Sequence, residues 1–322
     1  MSYEEARHSK STVSIVSKLM LNCLPMTKKI IQSRFFRRGL VATLVLLLVA
    51  LVVAWIVGGK LVAPANRVVQ VPEDLAIEAF EIDSESGSTI AGWCLTNQSA
   101  DSVVILLHPV RANRTAMLGR AKLFFESGFS VVMIDLQAHG ESPGENITFG
   151  HLEKHDVRAA VNFAKEKFSG NKIGIVGWSL GGAVALLASP LDVDAMVLES
   201  VYPTVSHAVY DRVDMRLGGL KYVAAPLLLG QLKMRLGIST GDLRPIDFMD
   251  KVGCPVLILA GDKDLHTPMD EFQMMIDAAK EPKELLTFVG AGHQDLYAFD
   301  QQQYREKVVE FLRVNLGADS TR

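Results

Sequence analysis

Residues 173–182 read IGIVGWSLGG: an apolar run ending at one serine, Ser179, fenced by glycines at 177, 181 and 182. Glycine inside an element costs roughly 0.5–1 kcal/mol relative to alanine, so three of them around one hydroxyl need a reason. A sharp strand-to-helix turn supplies one. It holds a serine at a strained backbone position with its oxygen exposed as a nucleophile, and small neighbours let strand and helix approach each other. Residues 172–176 read as the strand and 180–188 as the helix. The chemistry open to such a serine is attack on a carbonyl carbon.

That chemistry needs a base to take the hydroxyl proton and an acid to orient the base. A strand over 256–260 runs into GDKDLHTP, which places Asp262 and Asp264 at its C-terminal end. A strand over 285–289 runs into GAGHQDL, which places His293 on a glycine-flanked loop. Serine, acid, histidine is the chain order of enzymes built on such a turn. His266 is a second possible base, but it stands two residues from Asp264 and needs a different geometry. Asp262 reads as a surface turn acid, and His8 lies upstream of the apolar span described below.

These loops can converge only if the strands before them end at one edge of a sheet. A hairpin is expected over 76–82 and 89–95, then strands over 103–107, 130–134, 172–176, 195–198, 255–260 and 285–289. Helical patterns at 114–126, 153–167, 180–188, 270–279 and 301–314 fall between them. Short apolar strands alternating with helices predict a mostly parallel, doubly wound α/β sheet covered on both faces. Ligands of such sheets bind beyond the carboxyl ends of the strands, where each motif above falls. Between 200 and 255 no strand is legible, and a structureless loop of about fifty residues is improbable in a compact domain. A small helical lid over about 201–250 is expected; the alternative is an ordinary crossover pair with no role at the site.

The apolar fraction of 49% is concentrated upstream, where residues 39–59 carry no charge. An uncharged apolar run of that length predicts one transmembrane anchor rather than the shorter core of a cleaved signal. Residues 1–38 form a basic arm with eight Lys/Arg against two Glu, net +6, which leaves −9 for the remainder of a chain of net charge −3. Basic residues cluster before the span, so the positive-inside rule puts the N-terminus in the cytoplasm and the domain after the span on the other side. An acidic domain argues against nucleic acid as a partner. Of three cysteines, Cys23 precedes the span while Cys94 and Cys254 follow it, so at most one disulfide is open to them. No clustered Cys/His set predicts a metal site. Asn97, Asn113 and Asn146 open N-x-S/T sequons, relevant only in a glycosylating compartment.

From about residue 70 onward the chain resembles α/β-hydrolase-fold serine hydrolases, in the branch of small esterases, lipases and serine aminopeptidase-like hydrolases. Three motifs carry the resemblance: GWSLGG, GDKD ahead of HTP, and GAGH ahead of a last helix. It implies an α/β-hydrolase domain over 70–318, with Ser179 as nucleophile, Asp264 as acid and His293 as base. The family's strand–His-Gly turn stands here as LLHPVRAN, so the Val110 and Leu180 N–H groups are the expected oxyanion donors. The family's D-x-R-G-H-G-x-S-x-G stretch stands as residues 135–144. Proline at 109 replaces the usual glycine, and Gln137-Ala138 replace Arg-Gly. The implied activity is cleavage of carboxylic esters, expected to be lipophilic acyl esters, with neither metal nor organic cofactor. The same triad cleaves amides and peptides, and a silent anchored binding domain is the competing class.

Overall fold

The computed structural model describes residues 34–73 and 75–317. Most of the basic arm, with His8 and Cys23, lies outside the described residues. Two compact units divide after Ile56.

Among the described residues of the first unit, one helix begins. This helix, α1 (Arg34–Val62), holds 29 residues. At 1.5 Å per residue it is about 43 Å long, more than the ~30 Å hydrocarbon core of a bilayer. Its leucines and valines from Leu40 to Leu61, among them Leu44, Leu48 and Val52, are exposed, and Val62 at its end is buried. Length and composition therefore suffice to cross a membrane. The helix runs past 59 through Lys60 and stops ahead of Ala63-Pro64, because a residue preceding proline disfavours helical ψ.

The second unit is built on eight strands: β1 (Glu78–Asp83), β2 (Thr89–Leu95), β3 (Ser102–Leu107), β4 (Ser130–Ile134), β5 (Lys172–Trp178), β6 (Ala195–Glu199), β7 (Val256–Gly261) and β8 (Lys283–Phe288). They lie in one sheet in the order β8-β7-β6-β5-β3-β4-β2-β1. The β1–β2 and β2–β4 pairs are antiparallel, and every other pair is parallel. The parallel strands read as near-continuous Val/Ile/Leu runs because both their faces are covered. Alternate residues face opposite sides, as a strand's two-residue period requires. Val103, Ile105 and Leu107 join one core with α3 (Glu153–Lys167), α4 (Leu180–Ala188) and α7 (Met269–Ala278). Val104 and Leu106 join the other with α2 (Leu118–Glu126) and the C-terminal helical stretch from Gln301 to Leu316.

Between β6 and β7 stand two inserted helices, α5 (Val205–Leu217) and α6 (Lys221–Leu236). Val205, Leu232, Ile238 and Leu243 pack them into a small core of their own with Leu187. The folded unit begins at Val57, ahead of residue 70. Residues 62–69 are stitched to loops more than seventy positions away, a pairing that no local pattern announces. Cys94 and Cys254 are both free.

The three glycines around Ser179 owe their identity to space. A Cβ on Gly177 would come within 2.5 Å of the Gly182 backbone. One on Gly181 would collide with the Leu107 carbonyl, and one on Gly182 with Val201 and the Gly177 carbonyl. Strand β5, helix α4 and the end of β3 therefore touch backbone to backbone, and backbone cannot rotate aside as a side chain can. Gly177→Ala is expected to destabilise the fold by about 1–3 kcal/mol or more, as overpacking of rigid cores does; a thermal or denaturant unfolding curve matching wild type would contradict the close approach.

Candidate active site

Ser179 joins β5 to α4 with φ 52° and ψ −110°, a left-handed conformation that costs a non-glycine residue about 1–3 kcal/mol. Its N–H donates to the Glu199 carbonyl at 2.7 Å, which ties the turn to the end of β6. The Glu199 carboxylate is tied in turn. It accepts from Arg120 Nε at 3.0 Å, from Arg120 Nη2 at 2.6 Å and from the Tyr304 hydroxyl. Arg120 and Glu199 are fully buried. Arg120 also reaches Asp295 at 2.9 Å and lies over the Trp178 ring. Burial and then the Glu199 charge push the Tyr304 phenol up, so it stays a donor. Nothing local in the sequence marks Arg120, Glu199 and Tyr304 as partners; they stand 79 and 105 positions apart.

Loops at the ends of β7 and β8 bring the other two groups. Asp264 has its Oδ1 occupied by the His266 N–H at 2.8 Å and the Thr267 N–H at 3.0 Å. Its Oδ2 lies 2.7 Å from His293 Nδ1. Two loop-to-loop bonds fix the register: Lys263 N–H to the Ala291 carbonyl at 2.8 Å, and Gly290 N–H to Asp262 Oδ1 at 2.6 Å. Asp262 thus braces the histidine loop, while Asp264 faces the ring. His293 Nε2 lies 3.3 Å from Ser179 Oγ. With Asp264 accepting from Nδ1–H, neutral imidazole leaves Nε2 as the acceptor that faces the hydroxyl.

His266 is close but does not take the place of His293 beside Ser179 Oγ. Its ring stands edge-on to His293 with centroids 4.7 Å apart, and among the described residues its Nδ1 finds no partner. Burial, then Arg212 and His293, push it down to about 4, so it is neutral near pH 7. Asp264, His266 and His293 offer ligand atoms within 4.8 Å of one another, a donor set a metal ion can use. A cation there would have to displace the Asp264–His293 hydrogen bond.

Leu180 is the first residue of α4, so its N–H has no intrahelical partner. The Val110 N–H meets no acceptor among the described residues. The turn it belongs to leaves β3 directly beside Gly181. His108 opens that turn, fully buried: Nε2 accepts the Leu136 N–H at 3.0 Å, and Nδ1 faces the Pro109 carbonyl at 2.8 Å. Burial and the neighbouring His139 push His108 down to about 3, so it is a neutral strut.

A model of the alpha/beta hydrolase family matches residues 104–311. The uncharacterized protein YqkD of Bacillus subtilis is 26% identical over 245 residues, covering 74% of this chain and 80% of that protein. The esterase Pf2001 of Pyrococcus furiosus superposes with a TM-score of 0.66 at 21% identity, over 79% of this chain and all of that one. The alpha/beta hydrolase GrgF of Penicillium sp. sh18 does so with a TM-score of 0.60 at 21% identity, over 76% of this chain and all of that one. At such identities the two structures establish the fold.

The inserted helices meet the Asp264 loop through charged side chains. Arg212 on α5 donates to the Ala208 carbonyl at 2.8 Å and reaches the His266 carbonyl at 3.5 Å. Beside it, Asp211 on α5 faces Glu271 on α7, and neither Asp211 Oδ2 nor Glu271 Oε2 has an ordinary donor among the described residues. One shared proton satisfies both. Burial and then the Asp211 charge push Glu271 up to about 9. The unfolded chain loses that proton near the ordinary carboxylate range, so the folded state binds more protons in between. Stability therefore falls as pH rises from about 4.5 towards 9. Glu271→Gln, which donates without titrating, is expected to flatten that slope and raise Tm at pH 8 by on the order of 2–4 °C. Parallel Tm–pH profiles for the two proteins would contradict the shared proton.

Proposed function

Because this chain belongs to the alpha/beta hydrolase family, we propose that it is a membrane-anchored serine hydrolase cleaving esters with a hydrophobic acyl chain. One observation carries the reading: the relay from Ser179 Oγ to His293 Nε2 at 3.3 Å and from His293 Nδ1 to Asp264 Oδ2 at 2.7 Å. Ser179 Oγ attacks the ester carbonyl carbon as its proton passes to His293 Nε2. Asp264 holds the imidazole in the tautomer this requires and stabilises the imidazolium that forms. The Leu180 and Val110 N–H groups receive the developing oxyanion, each such donor being typically worth ~3 kcal/mol. His293 then protonates the leaving alkoxide, and the acyl group remains on Ser179. A water deprotonated by His293 attacks the acyl-enzyme, releases the acid and restores the serine.

The substrate class follows from what the insertion leaves in solvent. Leu217, Leu220, Tyr222, Val223 and Met234, all on the insertion, are 49–71% exposed. Lys221 and Lys233 lie among them. We read α5 and α6 as a lid that receives a lipophilic acyl chain, and α1 as the anchor that keeps the site near a bilayer. The basic arm supports a cytoplasmic N-terminus, with the hydrolase unit on the opposite side.

Four measurements test this. Ser179→Ala should keep the fold, abolish fluorophosphonate labelling and lower ester hydrolysis by ~10³-fold or more. Asp264→Asn should cost far more than Asp262→Asn, and the reverse ranking would move the acid's role. On the full chain in detergent micelles, kcat/KM for p-nitrophenyl esters should climb from acetate towards laurate, by up to about fourfold per buried methylene at ~0.8 kcal/mol each. A steady fall from acetate onward would remove the hydrophobic pocket. Finally, a reporter that works only in the cytoplasm should be active fused ahead of Arg34 and silent at the C-terminus.

A further inference from the structure

The segment that leaves α1 takes no part in the chemistry above, yet it is fastened on two sides. On one side it pairs with the loop after β4. Ala65–Asn66 runs parallel to His139–Gly140, with Ala65 N–H to the Ala138 carbonyl at 2.8 Å and Arg67 N–H to the Gly140 carbonyl at 2.7 Å. The Ile147 N–H reaches back to the Val62 carbonyl at 2.8 Å, and Asn66 Nδ2 donates to the Ser142 carbonyl at 2.6 Å.

On the other side it grips the turn after β3. Arg111 Nη1 donates to the carbonyls of Lys60 and Ala63, each at 3.0 Å, satisfying groups that the end of a helix leaves open. In return, Arg67 Nη2 donates to the Arg111 carbonyl at 2.8 Å.

Backbone conformation marks what the two grips do. Arg111 has φ 60° and Ala138 has φ 59°, left-handed values that a non-glycine residue keeps only where its surroundings over-determine them. Both residues are held by this one segment, and Arg111 directly follows Val110.

We propose that residues 60–67 form a clasp on the oxyanion turn, with Arg67 and Arg111 as positioning residues that aim the Val110 N–H at the developing oxyanion. The inference rests on the serine-hydrolase reading of the site. Pro109 fixes its own φ near −65° and donates no hydrogen bond. Its carbonyl, in the same peptide unit as the Val110 N–H, faces His108 Nδ1 and accepts from the Ala112 N–H at 3.2 Å, and the clasp holds Arg111, the residue between those two anchors. The guanidinium that aims the donor is the same one that finishes the helix.

The test uses the full chain in detergent micelles, with Arg67→Ala, Arg67→Gln, Arg111→Ala and Arg111→Lys, and with Lys165→Ala as a surface control. Three quantities are read: kcat and KM on a p-nitrophenyl ester, the inhibition constant of a trifluoromethyl ketone, and Tm. The ketone's tetrahedral adduct needs the oxyanion donors, whereas ground-state binding of the ester does not. Removing an oxyanion donor costs about 10²–10³ in kcat, so misaiming one should cost ~10-fold. Both alanine variants are expected to lose that much in kcat and to bind the ketone correspondingly more weakly, with KM within about twofold, while Arg111→Lys recovers part of both. Variants that melt like wild type and keep its kcat and ketone affinity would overturn the clasp. A rise in KM at constant kcat would overturn it too, by making the arginines substrate contacts. If the wild type neither hydrolyses the ester nor labels at Ser179, the reading of the site falls and the clasp with it; an active, labelled wild type with indifferent variants sinks the clasp alone.

Discussion

Backbone-to-backbone contact at the end of β5 is the constraint from which the rest of the site follows. Gly177 and Gly182 meet with no room for a methyl group, and Gly181 lies against the Leu107 carbonyl. A chain that passes so closely from strand to helix has no relaxed path. The strain falls on Ser179, which alone of the four carries a left-handed φ. The surrounding sheet keeps it there. Its N–H is spent on Glu199, and the fully buried Glu199 carboxylate is spent on Arg120 and Tyr304. Removing one partner of such a buried pair typically costs 3–5 kcal/mol, so the turn is backed by groups that cannot leave cheaply.

Two acids stand two residues apart after β7, and their surroundings give them different tasks. Asp262 reaches across to the Gly290 N–H and sets the height of the histidine loop. Asp264 turns back on its own loop, takes two backbone N–H groups on one oxygen and offers the other to His293. The same loop carries His266, whose backbone serves Asp264 while its ring, discharged by burial and Arg212, stays a neutral wall beside His293.

What was legible in the sequence is what local chemistry writes down. Six apolar runs show as strands because each is buried on two faces, and the edge strands β1 and β8 show by their flanking turns and partial apolar pattern. Ser179, Asp264 and His293 show because each follows the end of a strand. The glycines at 177, 181 and 182 were legible as necessary, but only the folded chain shows that each answers to a different neighbour. Partnerships across long separations left no trace. Arg120 with Glu199, Asp211 with Glu271, and residues 62–69 with the loop after Gln137 are ordinary polar residues until the sheet brings them together. For the same reason nothing ahead of residue 70 announces that residues 62–69 are hydrogen-bonded to those loops.

The inserted helices leave the sheet after β6 and return to it before β7, two adjacent strands. A segment with neighbouring exits can lengthen, shorten or be replaced over evolutionary time without re-registering a single strand. Change in length or sequence therefore has a natural home between Ser200 and Pro255, while Ser179, Asp264 and His293 sit outside it. The freedom has one seam. Arg212 and Asp211 belong to the replaceable segment yet touch the loop and helix that follow the acid. A graft that changed them would disturb the setting of Asp264, so lineages that vary the insertion should be seen to carry compensating changes along residues 264–271.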